Sequence, residues 1–400
     1  MRDQHLVFTK SAVRRTLLVG IGRTTTFAIL FFLAAFAQTI LLTVLPVEAF
    51  RLLGSARELS LVYLMVGICG FTGRLAIPSL ALLVGRPRLL LLGTAVLLLS
   101  CVLLAGDSVP ALIVGFALNT FAFACFEIVF NLYVLENIAR SELGRFEAKR
   151  IFFAAAPWTI GPWLGIYLQS HAAFWLPFLI SGATGLLMLA YFWLLRLEPP
   201  LEPRASRRLN PIYSIARFTA QPRLRLSWVL AVGRNAWWSM FQVYVPVYAI
   251  KTGLGAEAGG LIVSIGVGWM WTVLIWGWLG RRIGIRRLLL LGYAATGCIT
   301  LATVPAMGTP LLGAVMLVMS AFVAETIDGA GNSLFLRAVH VHERSEMTAV
   351  FVTYRDFGQT APPAIFAALL AVFELPAVFV AGGAMMLGMA VLTRYIPRRF

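Results

Sequence analysis

Twelve apolar windows, most of them about twenty residues long, follow one another along this chain, and the short loops between them carry most of its arginines. A helix of about twenty residues spans the ~30 Å hydrocarbon core of a bilayer. Inside lipid, helices and closed barrels are the two forms that satisfy their own backbone polar groups. The windows cover 26–50, 59–80, 89–105, 110–138, 147–169 and 174–195 in the first half, then 226–250, 258–279, 288–305, 310–337, 347–373 and 376–396 in the second. The pattern predicts an all-α membrane protein with twelve transmembrane helices. With 60% hydrophobic and 12% charged residues, the 400-residue chain has more apolar surface than a soluble fold can bury. Windows longer than the bilayer imply tilt.

The net charge of +16 would suit a nucleic-acid partner, but the placement of the charges does not. Of the 33 Lys and Arg residues, Arg51, Arg57 and Lys251 fall in one set of alternate loops, and Arg234 and Arg355 fall inside windows. The other 28 lie in the opposite set, which includes both chain ends, or in the window ends that adjoin it. That bias is the cytoplasmic signature, so both termini are expected in the cytoplasm of a multi-pass plasma-membrane protein, in a bacterium the inner membrane. The lipid bilayer is then the large partner, with no nucleic acid, and the surplus basic charge favours anionic lipid.

Several chemistries find no support. Cys69, Cys101, Cys125 and Cys298 all sit in apolar runs and read as small buried hydrophobes. His340 and His342 lack further ligands for a metal. No GxxxxGK loop is present to grip a nucleotide, and no βαβ pattern surrounds the glycines at 253–259. No nucleophile–base set stands out, so neither an enzyme nor a cofactor is expected. The triplet Ala35-Phe36-Ala37 resembles a leader-cleavage site, but the apolar run continues past it, so the first window reads as a retained span.

The halves repeat. Leu45-Pro46-Val47 is echoed by Val245-Pro246-Val247, and Gly85-Arg86-Pro87-Arg88 followed by four leucines and Gly93 is echoed by Gly284-Ile285-Arg286-Arg287 followed by four leucines and Gly292. The matches keep their order at a separation of about 200 residues. A parallel six-plus-six repeat follows, with bundles at 1–195 and 226–400 joined by a basic linker at 196–225. Its prolines and arginines mark a connector, with a short surface helix near 212–218 and Ser206 as a weak candidate for phosphorylation.

These features together resemble the major facilitator superfamily of secondary transporters, over nearly the whole chain, and their character is similar to its drug and metabolite exporter branch. The family's loop between its second and third spans reads G-x-L-x-D-R-x-G-R-R. Here Gly277-Trp-Leu-Gly-Arg281-Arg282-Ile-Gly284-Ile-Arg286-Arg287 matches best, and the first copy, from Pro78 to Arg88, is more eroded. Neither copy keeps the family's acidic residue. Ala156-Pro-Trp-Thr-Ile-Gly161-Pro162-Trp-Leu-Gly165 is similar to the G-P-x-x-G motif of family exporters. The resemblance implies gating roles for Gly85, Arg86, Arg88, Gly161, Pro162, Gly165, Gly284, Arg286 and Arg287. It also implies two pseudo-symmetric six-helix bundles in which spans one, four, seven and ten line a central cavity. The fourth span lacks the arginine that many family exporters carry there.

Charges inside the windows are the candidate site. Glu127 and Asn131 recur as Asp328 and Asn332 at the same separation, an acid followed by an amide one helical turn later. With Glu325 and Asp356 they make four embedded acids against two bases, Arg234 and Arg355. A charge at membrane depth costs several kcal/mol unless paired or hydrated. Burial favours the neutral acid and a neighbouring Arg favours the carboxylate, so an acid that changes neighbours can take up and release a proton. Glu127, Asp328, Glu325 and Asp356 are therefore candidate proton-coupling groups. Arg234, Asn119, Asn131, Asn235, Trp238, Gln242, Asn332, Arg355 and Gln359 are candidates for substrate contact, with Trp237 as a further stacking surface. A monomer that exports a small amphipathic molecule in exchange for protons is the leading expectation. Uptake or facilitated passage of an organic anion paired with Arg234 is the second. A non-transporting scaffold, sensor or assembly factor that kept the fold is the third.

Overall fold

The computed structural model describes residues 23–138, 142–195, 211–340 and 343–397, and its regular structure there is entirely helical. In chain order the helices are α1 (Arg23–Thr39), α2 (Val44–Leu53), α3 (Ala56–Val84), α4 (Arg86–Leu104), α5 (Val109–Asn137), α6 (Leu143–His171) and α7 (Leu176–Leu195). After α8 (Pro211–Ala220) come α9 (Pro222–Lys251), α10 (Ala256–Gly268), α11 (Val273–Ile283), α12 (Ile285–Ala306), α13 (Pro310–Ala330), α14 (Ser333–Ala338), α15 (Arg344–Phe351), α16 (Tyr354–Leu369) and α17 (Pro376–Leu392). Among the described residues, 10 segments are long and apolar enough to cross a membrane. The seventh span, α9, has the length, at 30 residues, but gives up hydropathy to Arg234 and its neighbouring amide and indoles. The eleventh, α15 with α16, is interrupted. Twelve spans result, and α8 is the expected linker helix. Residues 196–210, with Ser206, and His342 lie outside the described residues.

Contacts group the chain into two units, one drawn from Met1–Leu45 and Ile68–Glu202, the other from Pro46–Gly67 and Pro203–Phe400. The dividing line thus crosses the first two spans. Within the second unit, Ser60 Oγ lies 2.5 Å from Tyr244 OH, and a Cβ on Gly67 would come 3.0 Å from Thr360 Oγ1.

Each unit repeats the other's packing. In the first, α4 lies on α5, α1 on α6, and α7 on both α1 and α4; in the second, α12 lies on α13, α9 on α16, and α17 on both α9 and α12. The turns repeat as well. Gly85 (φ 83, ψ 148) opens α4 as Gly284 (φ 88, ψ 142) opens α12, a backbone region essentially closed to residues with a Cβ. Proline near the start of α5 and α13, after an extended Ser108 or Thr309, stiffens the first turn of each helix.

The expected continuous helices are corrected at four spans. The first breaks between Thr39 and Val44, where the ladder tightens through Leu41 N–H to Gln38 O and Leu42 N–H to Thr39 O. Thr39 Oγ1 donates to Pro157 O at 2.9 Å, and a Cβ on Gly161 or Gly165 would overlap Thr39 Oγ1 or the Ile40 carbonyl oxygen. The G-P-x-x-G motif is therefore the surface on which that break rests. The eighth span turns 3-10 over Trp269–Thr272, where Thr272 Oγ1 bonds Trp269 O at 2.7 Å and accepts Trp276 Nε1–H at 3.0 Å. The tenth stops at Gly331, φ 51. The eleventh breaks at Val352-Thr353, where Thr353 Oγ1 takes the Val350 carbonyl at 2.8 Å and receives Trp228 Nε1–H at 3.1 Å. Threonine hydroxyls that compete for backbone carbonyls weaken the helical ladder at that point.

Candidate functional site

Arg234 is a buried charge of the second unit, 8% exposed in the middle of α9. The 3.6-residue period sets Arg234, Trp238 and Gln242 on one face of that helix. Opposite them stands the last turn of α13. Asp328 there faces a helix C-terminus, whose partial negative charge disfavours a carboxylate unless a cation answers it. Arg234 answers it: Nε lies 3.4 Å from Asp328 Oδ1. Trp238 Nε1 donates to Asp328 Oδ2 at 2.8 Å, so both carboxylate oxygens are engaged. Arg234 Nη2 donates to Asn332 Oδ1 and to Tyr354 OH, each at 3.3 Å.

The break at Gly331 decides this arrangement. In an unbroken helix Asn332 would sit one turn above Asp328 on a shared stripe, as expected from sequence. Instead the chain turns at Gly331, and Asn332 reaches Arg234 from outside α13. The break at Val352-Thr353 acts in the same way on Tyr354, the first residue of α16. Its hydroxyl accepts from Arg234 Nη2 and Arg355 Nε, each at 3.3 Å, and its ring lies 5.6 Å and 5.9 Å from the two guanidinium carbons. Tyr354 escaped the sequence reading, although it stands directly before the embedded Arg355. Behind it, Phe351 stacks on Phe335 at 4.0 Å, in a buried cluster that includes Phe218 of the linker helix.

Other expected residues take definite places. Asn235 Nδ2 donates to the Arg355 carbonyl at 3.0 Å. Glu325, one turn before Asp328, is 4% exposed and in the field of Asp328 and Arg234, with no hydrogen bond or ion pair among the described residues. Gln242 is half-buried, Asp356 half-buried and Gln359 exposed on the same unit. Trp237 is corrected as a stacking surface: it is fully buried and its Nε1 donates to Thr300 Oγ1 at 3.1 Å. Glu127 and Asn131 are half-buried on α5 in the first unit, where Asn119 is buried and its side-chain nitrogen has no hydrogen-bond partner among the described residues. Of the basic gating candidates, Arg86 lies 5.9 Å from the Tyr133 ring, Arg286 is half-buried, and Arg88 and Arg287 are exposed. Gly280, in the same loop motif, is buried, and a Cβ there would lie 2.8 Å from Leu288 Cδ2.

The arrangement is a polar knot in which Asp328 and Glu325 stand beside the Arg234 guanidinium, with Arg355 joined to it through Tyr354. A proton on either acid leaves the trio of Asp328, Glu325 and Arg234 neutral. Residues 27–363 match the Major Facilitator Superfamily. Among solved structures, the nucleoside transporter NupG is similar at a TM-score of 0.76 and 16% identity, over 93% of this chain and 98% of that one. A peptide transporter POT in complex with sulfate is similar at 0.70 and 15%, over 94% of each chain. A POT family transporter in complex with a thioalcohol-conjugated peptide gives 0.71 and 11%, over 92% and 94%. No curated protein sequence matches.

Proposed function

Since the chain belongs to the Major Facilitator Superfamily, we propose that it is a proton-coupled secondary transporter of a small polar or amphipathic solute, working by alternating access between its two halves. The observation that carries this reading is the Arg234–Asp328 pair at 3.4 Å, with Glu325 buried beside it. Removing one partner of such a pair strands the other at a cost of about 3–5 kcal/mol. A solute group that takes Arg234 must therefore displace Asp328, and a proton arriving on the displaced Asp328 spares the site an unpaired carboxylate while it does so. Trp238, Asn332, Asn235, Tyr354 and Arg355 offer an indole face and hydrogen bonds around that exchange. Glu127, Asn131 and Asn119 are proposed as polar contacts of the first half by itself, and Asp356, Gln242 and Gln359 as outer contacts of the second.

The G-P-x-x-G motif packs the fifth span on the first, a contact that serves transport in either direction, so the proposal assigns none. The organic-anion reading keeps one argument, that Arg234 is a buried cation. Its ordinary acceptors are already in place, which makes the proton-exchange reading the stronger. Nucleosides and short peptides, named for the structural neighbours, form the first panel of solutes, with lipophilic amines alongside.

The test is proton movement in proteoliposomes loaded with a pH-sensitive dye, as each solute is added. Solute-driven proton flux that is lost in Asp328→Asn and Arg234→Gln, both folded, supports the proposal. Solute flux that persists unchanged in Asp328→Asn but stops in Arg234→Gln favours an anion carrier without proton exchange.

A further inference from the structure

The two halves part company where the third span meets the sixth and the ninth meets the twelfth. In the second unit, Gly297 of α12 and Gly383 of α17 face each other: a Cβ on either would lie 2.9 Å or 3.0 Å from the other's carbonyl oxygen. The helices touch backbone to backbone, as small residues allow in lipid. In the first unit Gly182 of α7 takes the place of Gly383, but Leu98 of α4 takes the place of Gly297. A Cβ on Gly182 would meet Leu98 Cδ2 at 3.2 Å and Cys101 Sγ at 3.7 Å. The leucine holds the helices apart, and beside it lies a cavity of about 310 Å³ lined by Leu98, Cys101, Trp175, Phe178, Gly182 and Ala183, among others.

We infer that this groove is a built site for one acyl chain of a membrane phospholipid. Its walls are apolar, and its rim is continuous with the bilayer-facing surface: Val102 is 71% exposed, Leu179 55% and Leu186 47%. An apolar cavity of this size offers no hydrogen-bond partners to hold water, and hydrocarbon is the solvent at its mouth. Each methylene that enters exchanges loose lipid contacts for a fixed wall, a gain in dispersion. Trp175, 53% exposed at the start of α7, stands at the end away from the arginine-rich loops. Tryptophan is favoured at that depth, where its ring meets the headgroup region. The occupant is thus a lipid of the leaflet opposite the cytoplasm, with its headgroup beside Trp175 and its chain running towards Leu98. The corresponding surface of the second unit is closed by the Gly297–Gly383 contact.

The experiment uses the full chain in vesicles of phosphatidylethanolamine and phosphatidylglycerol, with a trace of phosphatidylglycerol bearing a diazirine on one acyl chain. After irradiation, adducts are mapped by peptide mass spectrometry. Adducts concentrated severalfold on 98–105 and 175–186, over the peptides of α12 and α17, are expected. Ala183→Phe fills the groove from its exposed rim, and Val102→Trp fills it from the other wall, neither touching the Gly182 contact. Each should remove that enrichment while general labelling of the other spans continues. Even labelling over all bilayer-facing spans overturns the inference, as does enrichment that survives both filled variants. Labelling of the groove by a diazirine fatty acid but not by the phospholipid overturns it too, because the occupant would then be a free amphiphile.

Discussion

Asp328→Ala tests the polar knot most directly. In the native protein the Arg234 guanidinium faces Asp328 at 3.4 Å and two neutral acceptors, Asn332 and Tyr354, at 3.3 Å each. At an effective dielectric constant of 20, the Coulomb attraction at that distance is about 5 kcal/mol before desolvation. The Asp328 side chain is 29% exposed and the Arg234 side chain 10%, so water relieves part of the loss. With the neutral acceptors retained, each worth about 1 kcal/mol, the net destabilisation is about 2–4 kcal/mol. Asp328→Asn keeps acceptor and shape, so its cost should be smaller, about 1–2 kcal/mol. The double variant Arg234→Met with Asp328→Leu removes both charges and should recover to within about 1–2 kcal/mol of the native protein. The assay is thermal unfolding in detergent, followed by intrinsic fluorescence and size exclusion. The expected order of stability is native, then Asp328→Asn and the double variant at similar midpoints, then Asp328→Ala, with the double variant inert in transport. A midpoint for Asp328→Ala equal to the native one would refute the reasoning, because Arg234 would then be hydrated rather than held by the pair.

Three further outcomes are expected. Gly165→Val drives a side chain into the Ile40 carbonyl and should prevent accumulation of monodisperse protein, whereas Gly388→Ala, with open space around it, should be tolerated; size-exclusion yield compares them. Tyr354→Phe removes the hydroxyl that both arginines share and should cost about 1 kcal/mol, raising KM for the transported solute more than it lowers the maximal rate in proteoliposome flux. Arg217 pairs with Glu343 and Glu346, and Ser214 Oγ donates to Glu346 at 2.7 Å, so Arg217→Ala should loosen α8 by about 0.5–1 kcal/mol and speed limited proteolysis of the linker.

The number of spans was legible because hydropathy is a local property, and twenty apolar residues have one stable form in lipid. The repeat was legible in part because Gly85 and Gly284, in matching runs about 200 residues apart, hold a positive φ that residues with a Cβ rarely adopt; Gly54 and Gly253 also share a positive φ, although the sequence match did not draw on them. Arg234 and Asp328 announced themselves because an ion inside an apolar window is costly wherever it points. Asn332 was found for a reason that does not hold, since its reach to Arg234 depends on the helix ending at Gly331 rather than on helical spacing.

Other features belong to the tertiary structure alone. A threonine hydroxyl either caps a carbonyl in its own helix or lets the helix run on, and at Thr353 the Trp228 indole tips that balance from another span. Tyr354 acquires its two arginines only because the eleventh span breaks one residue earlier. Trp237 and Trp238 are neighbours in sequence with opposite fates, one buried against Thr300 and the other bonded to Asp328. Leu98 and Gly297 hold equivalent places in the two halves, yet whether their helices touch or part depends on what faces them. Composition and period set which segments enter the membrane; contacts between segments far apart in the chain set where each one bends and which side chains it presents.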